Sequence, residues 1–326
     1  MSKPALTWRS AVQKRRYARG MDLVEERLMA VATAYPGRLG DACRATLAAG
    51  GKRVRPLLTL LCARRDAALG ESVLRGATAI ELLHMATLVH DDVLDRAELR
   101  RGRPTVAHAY GVETAVSAGN YLLARAFQEL VGAGDPGAVE VLSAAAVGLS
   151  EGEVLQRDDA FRVTVTPAEY ELRCERKTAD LFAAACRLGA MLSGAGEQAE
   201  KALCEYGRFI GLAFQVFDDI LDCSGKEANT GKRPGADVRD GTVTLPLIFA
   251  LEAHPELAPR LSRQGHGTAD VASVLAMVAA SGALTRACGV ALGYIEEARR
   301  VLGTCPDTVE RDLLVEVAAQ VVDRYS

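Results

Sequence analysis

Apolar positions along this chain recur at intervals of three and four, the spacing of one helix face rather than of a half-buried strand. Between 73 and 95 the positions Ala77, Ile80, Glu81, His84, Leu88, Asp91 and Asp95 share a broad face, so the stretch predicts a long helix whose face ends in carboxylates. A helical stretch over 21–34 is broken at Pro36-Gly37, and the next, over 41–49, runs into Gly50-Gly51. Further helices are expected over 119–127 and over 138–155, where Gly148, Gly152 and several alanines permit close helix approach. Thr166-Pro167-Ala168-Glu169 is a strong helix start, with a hydroxyl cap, a proline in the first turn and a glutamate at the capping-box position. That helix leads to Lys177-Thr178, and another begins near Gly207 and ends at Asp222. The rest reads as helices rich in Ala, Leu and Val, interrupted at Gly265, Gly267, Gly282 and Pro306.

Composition agrees with an all-α fold. Ala and Leu, which lead the helix scale, abound, and proline is sparse at 11. The 326 residues could make two average domains or one large one; nothing resembles a linker, so a single helical bundle over 1–326 is expected. A net charge of -3 gives no overall field for nucleic acid or an anionic membrane. The first residues have no apolar signal core and no uninterrupted apolar stretch is long enough to span a membrane, so the chain reads as soluble and cytoplasmic. Most of the eight cysteines, none in a C-x-x-C spacing, are expected to be core thiols in a reducing compartment, with Cys223 a bland neighbour of Asp222. His254 and His266 belong to no constellation and are expected at the surface.

Two near-copies of one acidic pattern stand out: V-H-D-D-V-L-D ending at Asp95 and V-F-D-D-I-L-D ending at Asp222, identical at five of seven positions. In each, the first and last carboxylates (Asp91 and Asp95, Asp218 and Asp222) lie one helical turn apart on one face, flanked by Asp92 and Asp219. Like charges at that spacing destabilise a helix by a few tenths of a kcal/mol per pair, so they call for a compensating cation. Mg²⁺ suits them, since it takes one or two carboxylates, keeps waters and shares its shell with phosphate. A pair of solvated helix ends is the plainer reading. The repetition and the basic motifs that follow argue against it.

Gly50-Gly51-Lys52-Arg53-Val54-Arg55-Pro56 gathers three cations at a turn beside an apolar stretch, so they are expected to line a buried mouth facing an anion. After Asp95 comes a second turn, Arg100-Arg101-Gly102-Arg103-Pro104, and guanidinium forks match phosphate oxygens. His84 has no second histidine or cysteine one turn away, which speaks against zinc. Lys177-Thr178 interrupts an alanine-rich stretch, Gln215 lies one turn before Asp219, and Lys232 sits in a glycine-containing loop able to fold over an anion.

In this order, from about Leu47 to Ala250, the motifs resemble those of the trans-type polyprenyl diphosphate synthases, a family that includes farnesyl, geranylgeranyl and long-chain synthases. The resemblance implies the isoprenoid synthase fold, a helical bundle around a central cavity, usually working as a homodimer. It implies that all six aspartates bind Mg²⁺, three ions per site, together with the diphosphate of an allylic substrate. Lys52, Arg55, His84 and Arg101 match the residues on isopentenyl diphosphate; Arg100, Lys177 and Lys232 match those on the allylic diphosphate. Thr178 matches a threonine near the reacting carbons, Gln215 the glutamine before the second motif, and Gly152, Glu153 and Gln156 a supporting G-E-x-x-Q element. There are departures: Asn120 replaces a common aspartate, and Thr242 stands where many relatives carry a further diphosphate lysine.

The implied chemistry is ionisation of the allylic diphosphate followed by attack of the isopentenyl double bond, lengthening the chain by five carbons with a trans double bond. Relatives with short products often place bulky aromatics just before the first motif. Here Ala86 and Thr87 stand there, so the expectation is a long-chain enzyme making products of thirty carbons or more. Geranylgeranyl diphosphate synthase, with a stop at twenty, is the nearest alternative. The catalytic subunit of a two-component heptaprenyl synthase is another, while a terpene cyclase fits less well because the second D-D-x-x-D and the Lys52/Arg55 site are both present.

Overall fold

The computed structural model describes residues 10–224, 234–262 and 268–323. In chain order its helices are α1 (Ala11–Thr33), α2 (Gly37–Ala48), α3 (Val54–Cys62), α4 (Glu71–Leu94), α5 (Val106–Tyr110), α6 (Val112–Ala133), α7 (Pro136–Asp158), α8 (Pro167–Cys174), α9 (Asp180–Leu192) and α10 (Glu197–Cys223). They continue as α11 (Ala236–Asp240), α12 (Leu245–Ala253), α13 (Ala258–Leu261), α14 (Thr268–Ala280), α15 (Ala283–Leu302) and α16 (Arg311–Asp323). Among the described residues the only sheet is a two-stranded ribbon, β1 (Leu99–Arg100) with β2 (Arg103–Pro104). The all-helical expectation holds.

Contacts divide the chain into two compact units, interleaved in sequence. The first holds residues up to Ala146, Leu181–Gly207 and Val301–Val317; the second holds Val147–Asp180, Arg208–Arg300 and the chain from Ala318.

In the first unit α4 is the central element. It packs along α6 and touches α1, α3 and α5, and most of its residues are buried, from Val73 through Ile80 and Met85 to Val89. By length and composition α4 is able to cross a membrane, but 72% of its apolar window is buried inside the fold, as in a core helix. His90 turns toward α6: a Cβ on Gly119 would stand 2.2 Å from His90 Nε2, so only glycine lets the ring in. The later segments are tied in by hydrogen bonds to their backbone carbonyls. Tyr206, fully buried, donates to Leu314 O at 2.7 Å, and Arg65 N–H donates to Thr308 O at 2.9 Å.

Helix α1 begins well before the predicted 21–34 stretch. Ser10 caps it by accepting from Gln13 N–H, and the basic residues Lys14, Arg15 and Arg19 form its outer face while Tyr17, Gly20 and Val24 are buried on the inner one. The basic run is the solvated face of this amphipathic helix.

The second unit is built around α12, whose residues Leu245 to Ala250 are all buried and which packs on α8 and α14. The capping box read from Thr166 and Glu169 is present, with both reciprocal bonds made. Arg173, 3% exposed, joins α8 to the loops around it by donating to Asp159 Oδ2 at 3.2 Å and to Val243 O at 2.7 Å. All eight cysteines are free thiols, and Cys223 is buried.

Candidate active site

In the first unit, Arg53 departs from the expectation that all three cations of its turn face an anion. It opens α3 in the left-handed region (φ 50°), and its guanidinium turns inward to Glu25 Oε1 at 2.6 Å and Glu81 Oε1 at 2.7 Å. The side chains of Arg53 and Glu81 are only 9% and 4% exposed. Burial works against the charge on Arg53, but Glu81 and Glu25 outweigh it and hold its pKa above the usual value.

With Arg53 so committed, Arg55 and His84 form the next layer. Arg55 Nη1 lies 3.2 Å from His84 Nε2, and its guanidinium sits 4.5 Å above the Phe182 ring. Burial pushes Arg55 down to about 10, with Arg101 adding to and Glu81 opposing the shift, so it stays charged at neutral pH. His84 is held well below the ordinary imidazole range, first by burial and then by Arg55, Arg101, Arg100 and Arg53. It is therefore neutral, with Nε2 accepting from Arg55 and the proton on Nδ1. The buried Nε of Arg55 has no acceptor among the described residues. Cations crowded around a neutral histidine, one of them with an orphaned donor, make a site for an anion. An anion bound there would favour the imidazolium, so the His84 pKa should rise on titration with inorganic diphosphate, followed by its imidazole NMR shifts; no movement would place the anion elsewhere.

The ribbon brings the second arginine group to the same pocket. Arg100 pairs with Arg103 across it, and Arg101 and Gly102 make the turn with both φ positive (54° and 74°), as a two-residue type I′ hairpin requires. Arg100 Nε donates to Asp92 Oδ1 at 2.7 Å, and the Arg101 guanidinium rests against Gly51. One small pocket is lined by Gly50, Arg53, His84, Asp92, Arg100 and Arg101. Lys52 lies half-buried in the turn before α3. Asp92 is 5% exposed and committed to Arg100, whereas Asp91 is half-buried and Asp95 exposed at the end of α4. Ala86 is buried; Thr87 is half-buried, its hydroxyl donating to His84 O at 2.9 Å.

In the second unit, Lys177 and Thr178 lie in a π-helical turn, Glu175–Ala179, inserted between α8 and α9. Wide turns of this kind concentrate at functional sites. Lys177 Nζ donates to Glu153 Oε2 at 2.6 Å and Gln156 Oε1 at 3.0 Å, so the G-E-x-x-Q element holds this lysine. Burial raises the Glu153 pKa, but Lys177 and Arg157 more than reverse it and keep the carboxylate ionised. A Cβ on Gly152 would stand 2.6 Å from Lys177 N, which fixes a glycine where α7 meets the turn.

The three carboxylates of the second motif have three different settings. Asp218 is exposed. Asp219, 4% exposed, accepts from Gln215 Nε2 at 2.8 Å and Tyr170 OH at 2.6 Å. Burial, with Asp218 beside it, raises its pKa against those two hydrogen bonds. Asp222 accepts backbone N–H bonds from Ala236 (3.0 Å) and Asp237 (2.9 Å), which anchors the start of α11. Thr178 Oγ donates to Gln215 Oε1 at 2.7 Å. Lys232 lies outside the described residues, as does Arg233. Thr242 donates its N–H to Asp237 O at 2.8 Å, and Arg239 donates to Pro234 O at 3.0 Å.

Among the described residues no three His, Cys, Asp or Glu side chains are grouped to hold a metal ion by themselves. Mg²⁺ needs no such cage, and carboxylate oxygens of the kind each motif carries suit it chemically. Sequence reading missed Tyr170 and the Arg53–Glu25–Glu81 cluster. Glu81 did lie on the predicted helix face beside His84, and a carboxylate buried there needs a cation; for Tyr170 there was no signal.

The family described as "Polyprenyl synthetase" matches residues 36–279. Heptaprenyl diphosphate synthase component 2 of Geobacillus stearothermophilus is 38% identical over 303 residues, covering 92% of this chain and 94% of that protein. Geranylgeranyl diphosphate synthase of Methanosarcina mazei is 38% identical over 297 residues, covering 89% and 90%. The crystal structure of a decaprenyl diphosphate synthase from Rhodobacter capsulatus superposes with a TM-score of 0.89 at 34% identity, covering 96% of this chain and 98% of that one.

Proposed function

Because the chain belongs to the polyprenyl synthetase family, we propose that its two groups of site residues serve two diphosphate substrates in one elongation reaction. It is a trans-polyprenyl diphosphate synthase of the long-chain type, with the isoprenoid synthase fold, and it adds isopentenyl diphosphate head-to-tail to an allylic prenyl diphosphate. The family match spans stretches of both units, which supports reading 1–326 as one functional domain. The observation that carries the reading is the buried, neutral His84 beside Arg55, near Arg100 and Arg101, with the Nε of Arg55 left without an acceptor among the described residues.

Isopentenyl diphosphate is bound by Lys52, Arg55, His84 and Arg101. Arg100, aimed by Asp92, and Lys177, aimed by Glu153 and Gln156, take the allylic diphosphate, and Lys232 joins them. The six aspartates Asp91, Asp92, Asp95, Asp218, Asp219 and Asp222 hold Mg²⁺, three ions per site. Bound Mg²⁺ supplies charge neutralisation of the departing diphosphate. Arg100 and Lys177 stabilise the same developing charge, so catalysis is electrostatic and no side chain acts as nucleophile. Thr178 Oγ faces the reacting carbons, and the leaving diphosphate is the base that removes the final proton. Thr242 removes one cation that many relatives have, and Arg239 is the described arginine closest to it in sequence.

The chain works as a homodimer in a reducing, cytoplasmic setting, which the eight free thiols fit. A second reading, a catalytic subunit needing a small partner, draws on the likeness to a component 2 protein. The deciding assay gives purified protein Mg²⁺, isopentenyl diphosphate and, in turn, dimethylallyl, geranyl, farnesyl and geranylgeranyl diphosphates, with products sized by mass spectrometry. A ladder reaching thirty carbons or more is expected, and Ala86→Phe should shorten it by at least one isoprene unit. A wild-type stop at twenty would make the enzyme a geranylgeranyl diphosphate synthase. No elongation from any primer, also with Thr242→Lys, would move the assignment to the two-component reading.

A further inference from the structure

Resting on the elongase reading, we propose that Tyr170 is a positioning residue of the reaction: through Asp219 and Gln215 it sets which way the Thr178 hydroxyl points. The four side chains form one unbranched path within the second unit. Tyr170 OH donates to Asp219 Oδ2 at 2.6 Å, Gln215 Nε2 donates to Asp219 Oδ1 at 2.8 Å, and Thr178 Oγ donates to Gln215 Oε1 at 2.7 Å. Tyr170, Thr178 and Asp219 are 3%, 6% and 4% exposed, so water does not compete freely with these bonds.

The direction of the path follows from the chemistry of its members. When ionised, Asp219 only accepts, so donors on both its oxygens oblige Gln215 to turn its amide nitrogen inward and its carbonyl toward Thr178, the arrangement the three bonds have. Thr178 must then donate to that carbonyl, and its Oγ is left as a pure acceptor toward whatever lies beside it. An oxygen presenting lone pairs stabilises a neighbouring carbon that becomes positive; a hydroxyl presenting its proton would oppose it. Tyr170 closes the far end. Without its O–H, Asp219 has a buried oxygen unpaired and Gln215 loses the fixed partner that decides its flip. The other polar neighbour of the Tyr170 hydroxyl is the Cys174 thiol one turn along α8, a weak donor and acceptor that does not replace it. Arg173, 5.6 Å from the Tyr170 ring centre and itself held by Asp159 and Val243 O, keeps the phenol in place.

The test is a double-mutant cycle on elongation of farnesyl diphosphate with isopentenyl diphosphate at saturating Mg²⁺, using Tyr170→Phe, Thr178→Val and the pair. Tyr170→Phe should lower kcat by about tenfold, leave KM for both substrates within about twofold, and have almost no further effect once Thr178 is valine. Gln215→Met, which cuts the same path elsewhere, should be equally masked by Thr178→Val and serves if the phenylalanine variant does not fold. Additive losses, an undiminished kcat in Tyr170→Phe, or KM values rising together with a lowered melting temperature would overturn the inference while wild-type elongation upholds the function. A wild type that transfers no prenyl group from any primer would overturn the function, and this inference with it.

Discussion

Replacing Arg53 with methionine is expected to cost the fold about 3–5 kcal/mol, the loss typical when one partner of a buried ion pair is removed and the other is left charged. Glu81 would be that residue, with its side chain 4% exposed and Arg53 as its cation. Urea melts of wild type and variant check this. A midpoint unchanged by the substitution would mean that Glu81 is not stranded by it. Loss of isopentenyl diphosphate binding should accompany the change, because Arg53 opens the helix that carries Arg55.

Asp218→Ala should have the opposite profile: kcat lowered by roughly 10²–10³-fold, the scale of removing one preorganised electrostatic group, with little change in melting temperature because the residue is exposed. Asp222→Ala should melt earlier, by about 2 kcal/mol, since it strips the charged acceptor from two backbone N–H groups at the start of α11. Thermal melts and Mg²⁺ titrations of activity on the two variants separate the roles. If Asp218→Ala kept wild-type kcat, Asp218 would not touch the reacting diphosphate or its metal.

The two acidic motifs are nearly the same in wording, and their difference was not legible in the sequence. Helical phase correctly set Asp92 and Asp219 off the face shared by their neighbours. It could not say that Asp92 would be spent on Arg100, Asp219 on Tyr170 and Gln215, and Asp222 on the amides of α11, because each partner arrives from another element. Local signals fared better. The capping box at Thr166 and the long apolar face leading to Asp91 rest on neighbours within a turn or two, and both are present. The arginine ribbon was read as a turn but not as strands: two residue pairs carry no periodicity, and an arginine with positive φ at Arg101 gives no sign of it in its chemistry.

The π-helical turn at Lys177 also bears on how this chain tolerates change over generations. It contains one residue more than a regular turn would, with Asp180 N–H reaching back to Glu175 O. Deleting a single codon between Glu175 and Ala179 would let α8 and α9 merge into one ordinary helix, a locally favourable outcome. The flanking helices would keep nearly their present faces, because the wide turn takes up the extra residue, but Lys177 and Thr178 would lose the placement that the bulge gives them. A lineage could in this way lose the reaction in one step and keep a helical protein that its relatives' sequences would still recognise.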